Sequence, residues 1–218
     1  ALTNTGTGAV SVLATDAEDI FSFAGGFAFG KSDGFGAALA LNFLSVSTEA
    51  NVIASTLTDS RTATVKAKSK GSLIAVAVGG AGGKTAGIAG SVAVNKTDNT
   101  TTAIVSDAAH IDAVGEVGIE ADDTSSAVGA AGGFAGAKPV AVGVAAAANI
   151  TGNTIKADIP GASVGSQSGT VTVTAYAENA LIGVAVGGSG AQSLAIAGSV
   201  SVNEISNNIE AKVEGAST

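Results

Sequence analysis

The sequence predicts an all-β repeat fold, either a β-solenoid or a stacked array of β-sandwiches, and three observations carry that reading. The first is internal repetition, which has to be sought before any motif is believed. The segment SLIAVAVGGAGGKTAGIAGSVAVNKTDNTTTAIV from Ser72 aligns without a gap to ALIGVAVGGSGAQSLAIAGSVSVNEISNNIEAKV from Ala180, and weaker copies begin at Asp19 and Ser126. The second is a fixed period: Asn42, Asn95, Asn149 and Asn203 fall 53, 54 and 54 residues apart. The third is spacing within the repeat, where Val and Ile recur at every second position, the period of a strand.

The 218 residues therefore read as one continuous array, residues 1–218, with repeats at about 8–60, 61–114, 115–168 and 169–218. Each repeat divides into four apolar segments separated by polar or glycine punctuation. In the last repeat the first segment, Val171 to Tyr176, alternates Val, Val and Ala on one face with Thr, Thr and Tyr on the other, a half-buried strand. The fourth, Ile209 to Glu214, alternates likewise with its charges turned to water. The two middle segments differ. In Ile74 to Gly79 and in Leu194 to Val202 one row is large and the other is Ala, Gly or Ser, and neither row is charged. These strands are expected to be covered on both sides, the small row allowing close backbone approach to another sheet, to another copy, or to both.

A helical alternative fails on period and on glycine content, since each glycine costs roughly 1 kcal/mol inside a helix. A membrane barrel needs aromatic girdles, and one Tyr with seven Phe, six of them before residue 44, does not supply them. No apolar run is long enough for a membrane-spanning helix, because Lys84 interrupts the best one, and Ala1 to Gly6 has no signal-peptide character.

In register, Asn42, Asn95, Asn149 and Asn203 would stack as a ladder whose amides bond to one another or cap turn backbone. Phe27 and Phe134 align with each other, whereas the second and fourth repeats have Gly80 and Gly188 there. Large thus alternates with small, which suggests a double unit in which a phenyl ring covers the bare backbone of the next repeat.

Gly25 to Ser32, GGFAFGKS, fits the phosphate-loop pattern letter for letter. The repeat register nevertheless makes it one of four equivalent turns, and a phosphate loop must open a helix, whereas Asp33 to Leu39 reads as strand. No nucleotide is expected. With 10 basic against 18 acidic residues, a net charge of −8 and no basic cluster, nucleic acid is not an expected partner either.

Segments such as GVAVGGSGAQSLAIAGSVSVN resemble the repeats of giant secreted or surface-displayed bacterial exoproteins, the leukotoxin-like and filamentous-haemagglutinin-like adhesins exported by type V or two-partner routes. The resemblance spans all four repeats and rests on small-residue texture and strand-turn rhythm. It implies an extended β-structured fibre at the cell surface or outside the cell that adheres, spaces or builds biofilm matrix. Absence of cysteine fits an exported bacterial protein or an engineered fragment. No polar capping unit stands at either end, so the chain reads as a fragment or subunit of something longer.

Candidate sites are few. Asp16, Asp19, Asp122 and Asp123 fall at an expected turn between the first two strands and are calcium candidates, although Lys68 and Lys70 lie near the same turn in the second repeat. His110 is the one imidazole and reads as a loop histidine. Sequons at Asn95, Asn99 and Asn149 read as chance. No pair of carboxylates recurs beside a base, so no catalytic residue and no cofactor is assigned. The expected function is a structural or adhesive repeat module of an extracellular bacterial filament. It would associate with itself laterally through small-residue faces or end to end through uncapped ends, and would meet glycans or proteins of a host or neighbouring cell. The rival is a carbohydrate-binding, carbohydrate-processing or toxin segment on a solenoid.

Overall fold

The computed structural model describes residues 3–4 and 6–215; residues 1, 2, 5 and 216–218 of the expected array lie outside the described residues. The chain opens on β1 (Thr3–Asn4), β2 (Val10–Phe29), β3 (Asp33–Leu44) and β4 (Ser47–Ile53). The second coil adds β5 (Thr56–Ser60), β6 (Ala63–Gly83), β7 (Ala86–Thr97) and β8 (Thr100–Ser106). The third adds β9 (His110–Ala113), β10 (Val117–Ala137), β11 (Val140–Thr151) and β12 (Thr154–Pro160). The last comprises β13 (Ser163–Ser166), β14 (Val171–Gly190), β15 (Leu194–Ile205) and β16 (Asn208–Glu214).

Equivalent strands of successive coils pair in parallel, giving four sheets of four strands each. The fold is a β-solenoid, consistent with the predicted class. Register follows the repeat: Asn42 pairs with Asn95, Asn95 with Asn149 and Asn149 with Asn203.

The cross-section of a coil follows from which side chains face inward. The first half of each long strand packs against the fourth-segment strands and the short strands over Leu57, Val65, Ile111, Ile119, Ile155 and Ile159, all buried. The second half packs against the third-segment strand over a core that is almost wholly alanine, with Ala75, Ala77, Ala89, Ala93 and Ala141 at 0% exposure. There the two sheets nearly touch. A Cβ placed on Gly26 would strike the backbone of Ala37, on Gly133 that of Val144, and on Gly187 that of Gly198. Stacked sheets ordinarily lie about 10 Å apart, and removing Cβ allows this closer approach. Each coil is therefore a wedge with a thick aliphatic end and a thin alanine-glycine blade.

Three expectations are corrected. The first two segments are not separate strands: β2, β6, β10 and β14 run through 20 or 21 residues, so the expected acidic turn lies in mid-strand. The fourth sheet, β1-β5-β9-β13, comes from segments at the repeat boundaries not read as strands, and His110 opens β9 rather than sitting in a loop. Finally, the middle strands are covered on one side alone. Their small rows meet each other inside the coil and are not available to a second copy. The large rows face outward, with Phe27 64% and Phe29 82% exposed.

Directly after the fourth-segment strand the chain passes through a left-handed residue in every coil: Ala54 (φ 47), Asp107 (φ 54), Gly161 (φ 65) and Gly215 (φ 91). Glycine takes this conformation freely, whereas alanine is disfavoured there by roughly 1 kcal/mol or more. Ala54→Gly is expected to raise stability by about 0.5–1 kcal/mol, part of the relief being offset by glycine's greater freedom in the unfolded chain. Urea denaturation checks it, and a loss of stability would mean that the turn is not left-handed.

Candidate functional site

Among the described residues no group of three or more His, Asp or Glu side chains is placed to hold a metal ion. What the fold builds instead are polar ladders inside the wedge and apolar faces outside it.

Asn42 Nδ2 donates to Asn95 Oδ1 at 2.9 Å, Asn95 Nδ2 to Asn149 Oδ1 at 2.8 Å, and Asn149 Nδ2 to Asn203 Oδ1 at 2.8 Å. The second proton of each donor crosses the wedge to the long strand of the following coil, reaching the carbonyls of Ile74, Val128 and Ile182 at 2.8–2.9 Å. The side chains thus bond across the core and do not cap a turn. An amide suits this row because it donates and accepts along one line, matching the strand spacing of about 4.8 Å. Small residues on the long strand make room: a Cβ on Gly129 would lie 3.1 Å from Asn149 Oδ1.

A second asparagine row was not anticipated. Asn99 Oδ1 accepts the backbone N–H of Val46 at 3.2 Å, Asn153 Oδ1 that of Asn99 at 3.0 Å, and Asn207 Oδ1 that of Asn153 at 3.1 Å. Asn99, Asn153 and Asn207 recur at the same 54-residue spacing, a signal that was present in the sequence but broken by Val46 in the first coil. The sequon residues Asn95, Asn99 and Asn149 are all buried at 0–1% exposure, so none offers its amide to a glycosylating enzyme in the folded state.

The four calcium candidates do not converge. Asp16 and Asp123 face inward, in the register row Asp16, Ser69, Asp123, Ala177, and so stand two coils apart. Asp19 and Asp122 lie on outward positions, because side chains alternate along the strand. Asp123 is fully buried; its Oδ1 accepts from Asn153 Nδ2 at 2.6 Å and from Ser125 Oγ at 2.9 Å. Asp122 instead meets Lys68 at 3.8 Å.

Surface charges pair along the stack. Lys66 meets Glu120 at 2.5 Å and Lys156 meets Glu210 at 3.5 Å, each pair joining neighbouring coils, and Lys212 contacts Glu214 within its own strand. The hydrogen bond to Glu120 holds the Lys66 ammonium above its usual 10.5, and that to Glu214 raises Lys212. Tyr176 is raised by the charge of Glu178 beside it. Because the Lys66 pKa is raised on folding, the stability it contributes is complete below 10.5 and is lost as pH climbs through the raised value. Glu120→Gln is expected to cost under about 1 kcal/mol at neutral pH, the pair being partly exposed. That difference should vanish in strong alkali; its persistence there in pH-dependent urea melts would show that the ammonium is not involved.

Phe27 lies in register with Gly80, and Phe134 with Gly188. The rings lean over the glycines, since a Cβ on Gly80 would fall 2.8 Å from Phe27 Cε1 and one on Gly188 would fall 2.8 Å from Phe134 Cδ1. Gly30, Lys31 and Ser32 connect β2 to β3, so the segment following the phosphate-loop pattern is a strand and offers no helix N-terminus.

The blade's two outer surfaces are the remaining feature. On the long-strand side Phe21, Phe23, Phe27, Phe134, Ile182 and Val184 are half or more exposed. On the opposite side the same holds for Phe35, Leu39, Phe43, Leu194 and Val200. Monomeric proteins rarely expose contiguous apolar patches beyond a few hundred Å2. No protein-family model, curated protein or solved structure matches the chain.

Proposed function

We propose that the chain is a structural and adhesive module of an extracellular bacterial filament or surface adhesin, acting by stacking and association. The observation that carries this reading is the stack itself: one coil geometry repeated along a single axis and joined by in-register amide ladders, with the interior fully committed to holding coil on coil. Within the described residues β2 and β14 are edge strands, each with one side of its backbone unpaired by the long sheet. Such edges accept a further parallel coil, of the same chain or of another copy, with little change of geometry.

Two further features support it. Three lysine–carboxylate pairs on the outer surface, Lys66 with Glu120, Lys68 with Asp122 and Lys156 with Glu210, tie neighbouring coils together. Absence of cysteine and the small-residue texture agree with an exported location. Electron microscopy of the purified chain tests the proposal. Elongated threads or rods that lengthen with protein concentration are expected, and short monodisperse particles at high concentration would count against it.

A further inference from the structure

The blade carries two apolar faces that point in opposite directions, and each has an apolar hollow. On the long-strand face one row along the solenoid axis reads Phe27, Gly80, Phe134, Gly188, so two exposed phenyl rings stand two coils apart, about 9.6 Å at ordinary strand spacing. These rings are the knobs of a broken ridge, with an apolar hollow of about 480 Å3 between them over Gly80, Ala81 and Gly82. On the opposite face the axial row Ala37, Gly90, Val144, Gly198 is mostly small and is flanked by Leu39, Val92 and Val200. Over the first three coils Ala37, Gly90 and Val144, with Leu39, Val92 and Ala146, line a trough of about 470 Å3 whose surface is almost wholly apolar. Ridge and trough run along the same axis.

We infer that the ridge face of one copy docks into the trough face of a second copy, so that solenoids associate side by side with their axes aligned. The inference rests on the filament reading and specifies its lateral contact. Size supports a second copy as the occupant. Four strands of 12 residues make a trough face of about 40 by 19 Å, roughly 750 Å2, close to the 800 Å2 or so that each partner buries in a stable protein interface. Charge placement agrees. On the outward row of the trough face Asp33, Lys96 and Glu204 stand at the strand ends and no charge lies between, the layout of an apolar interface core with a polar rim. A partner with the same 54-residue coil also matches the axial spacing of the knobs and of the rows that receive them. Because the two faces are different surfaces, the contact is heterologous and leaves a free face on each side, which allows growth beyond a pair.

Two double variants separate the faces without touching the interior. Phe23→Lys with Val184→Lys charges the ridge face, and Leu39→Lys with Val200→Lys charges the trough face; all four positions are at least half exposed. Each variant should keep the far-UV circular dichroism of the parent chain. Alone, each should show no lateral association. Mixed, they should form one-to-one pairs, since each supplies the face the other lacks. The pairing is read as a doubling of mass, in light scattering for discrete particles or per unit length for threads in electron microscopy. A mixture that stays at single mass would overturn the inference, and single-width threads in that case would leave the filament reading standing. Either variant pairing with itself would overturn it in favour of a like-to-like interface. Binding of the parent chain to phosphatidylcholine and phosphatidylglycerol vesicles, without lateral pairing, would overturn it in favour of a lipid surface.

Discussion

Gly133→Ala is expected to cost about 3 kcal/mol or more, whereas Gly136→Ala, three residues along the same strand, should change stability by no more than about 0.5 kcal/mol. A Cβ on Gly133 would strike the carbonyl oxygen of Val144 on the facing strand, so the two sheets must move apart. Moving them breaks the alanine contacts of Ala131 and Ala145 that fill the blade. Gly136 faces outward, and a Cβ there meets nothing within 4 Å. Urea denaturation of the two variants gives the comparison. Equal midpoints would show that the sheets do not approach as closely as the wedge requires.

Asn95→Asp should be nearly as damaging, at about 3–5 kcal/mol near neutral pH, because it leaves a fully buried charge without a basic partner. A carboxylate can still accept from Asn42, but it cannot donate to Asn149 Oδ1 or to the Val128 carbonyl. Asn95→Ala removes the same donors without adding charge, and should cost about 2–3 kcal/mol. Asn203→Ala, at the exposed end of the row, should cost less than about 1 kcal/mol. That order, read from denaturation midpoints, is the signature of a continuous amide ladder. Equal effects at Asn95 and Asn203 would mean independent asparagines.

The repeat, its register and the first asparagine row were legible because identical residues at a fixed spacing must meet when coils stack in parallel. Which face points inward was not legible. Along Leu194 to Val202 both rows are uncharged, and the usual preference for burying Val and Ile over Ala and Ser points the wrong way. Close backbone approach overrides it, since a Cβ on Gly187 would strike the carbonyl oxygen of Gly198 on the facing strand. The long strands were hidden by polar residues at their centres. Asp123 and Ser125 look like turn chemistry, yet they sit mid-strand where the thick end meets the blade, bonded to Asn153. Short strands such as His110–Ala113 carry too few residues to show a period.

X-ray diffraction from an aligned, concentrated preparation of the chain tests the stacking most directly. If coils stack along the thread, strands lie across it, and a meridional reflection near 4.8 Å is expected, accompanied by a weaker one near 9.6 Å from the alternation of phenylalanine and glycine in successive coils. A strand-spacing reflection on the equator, or none that orients with the thread, would contradict a filament built by coil-on-coil stacking.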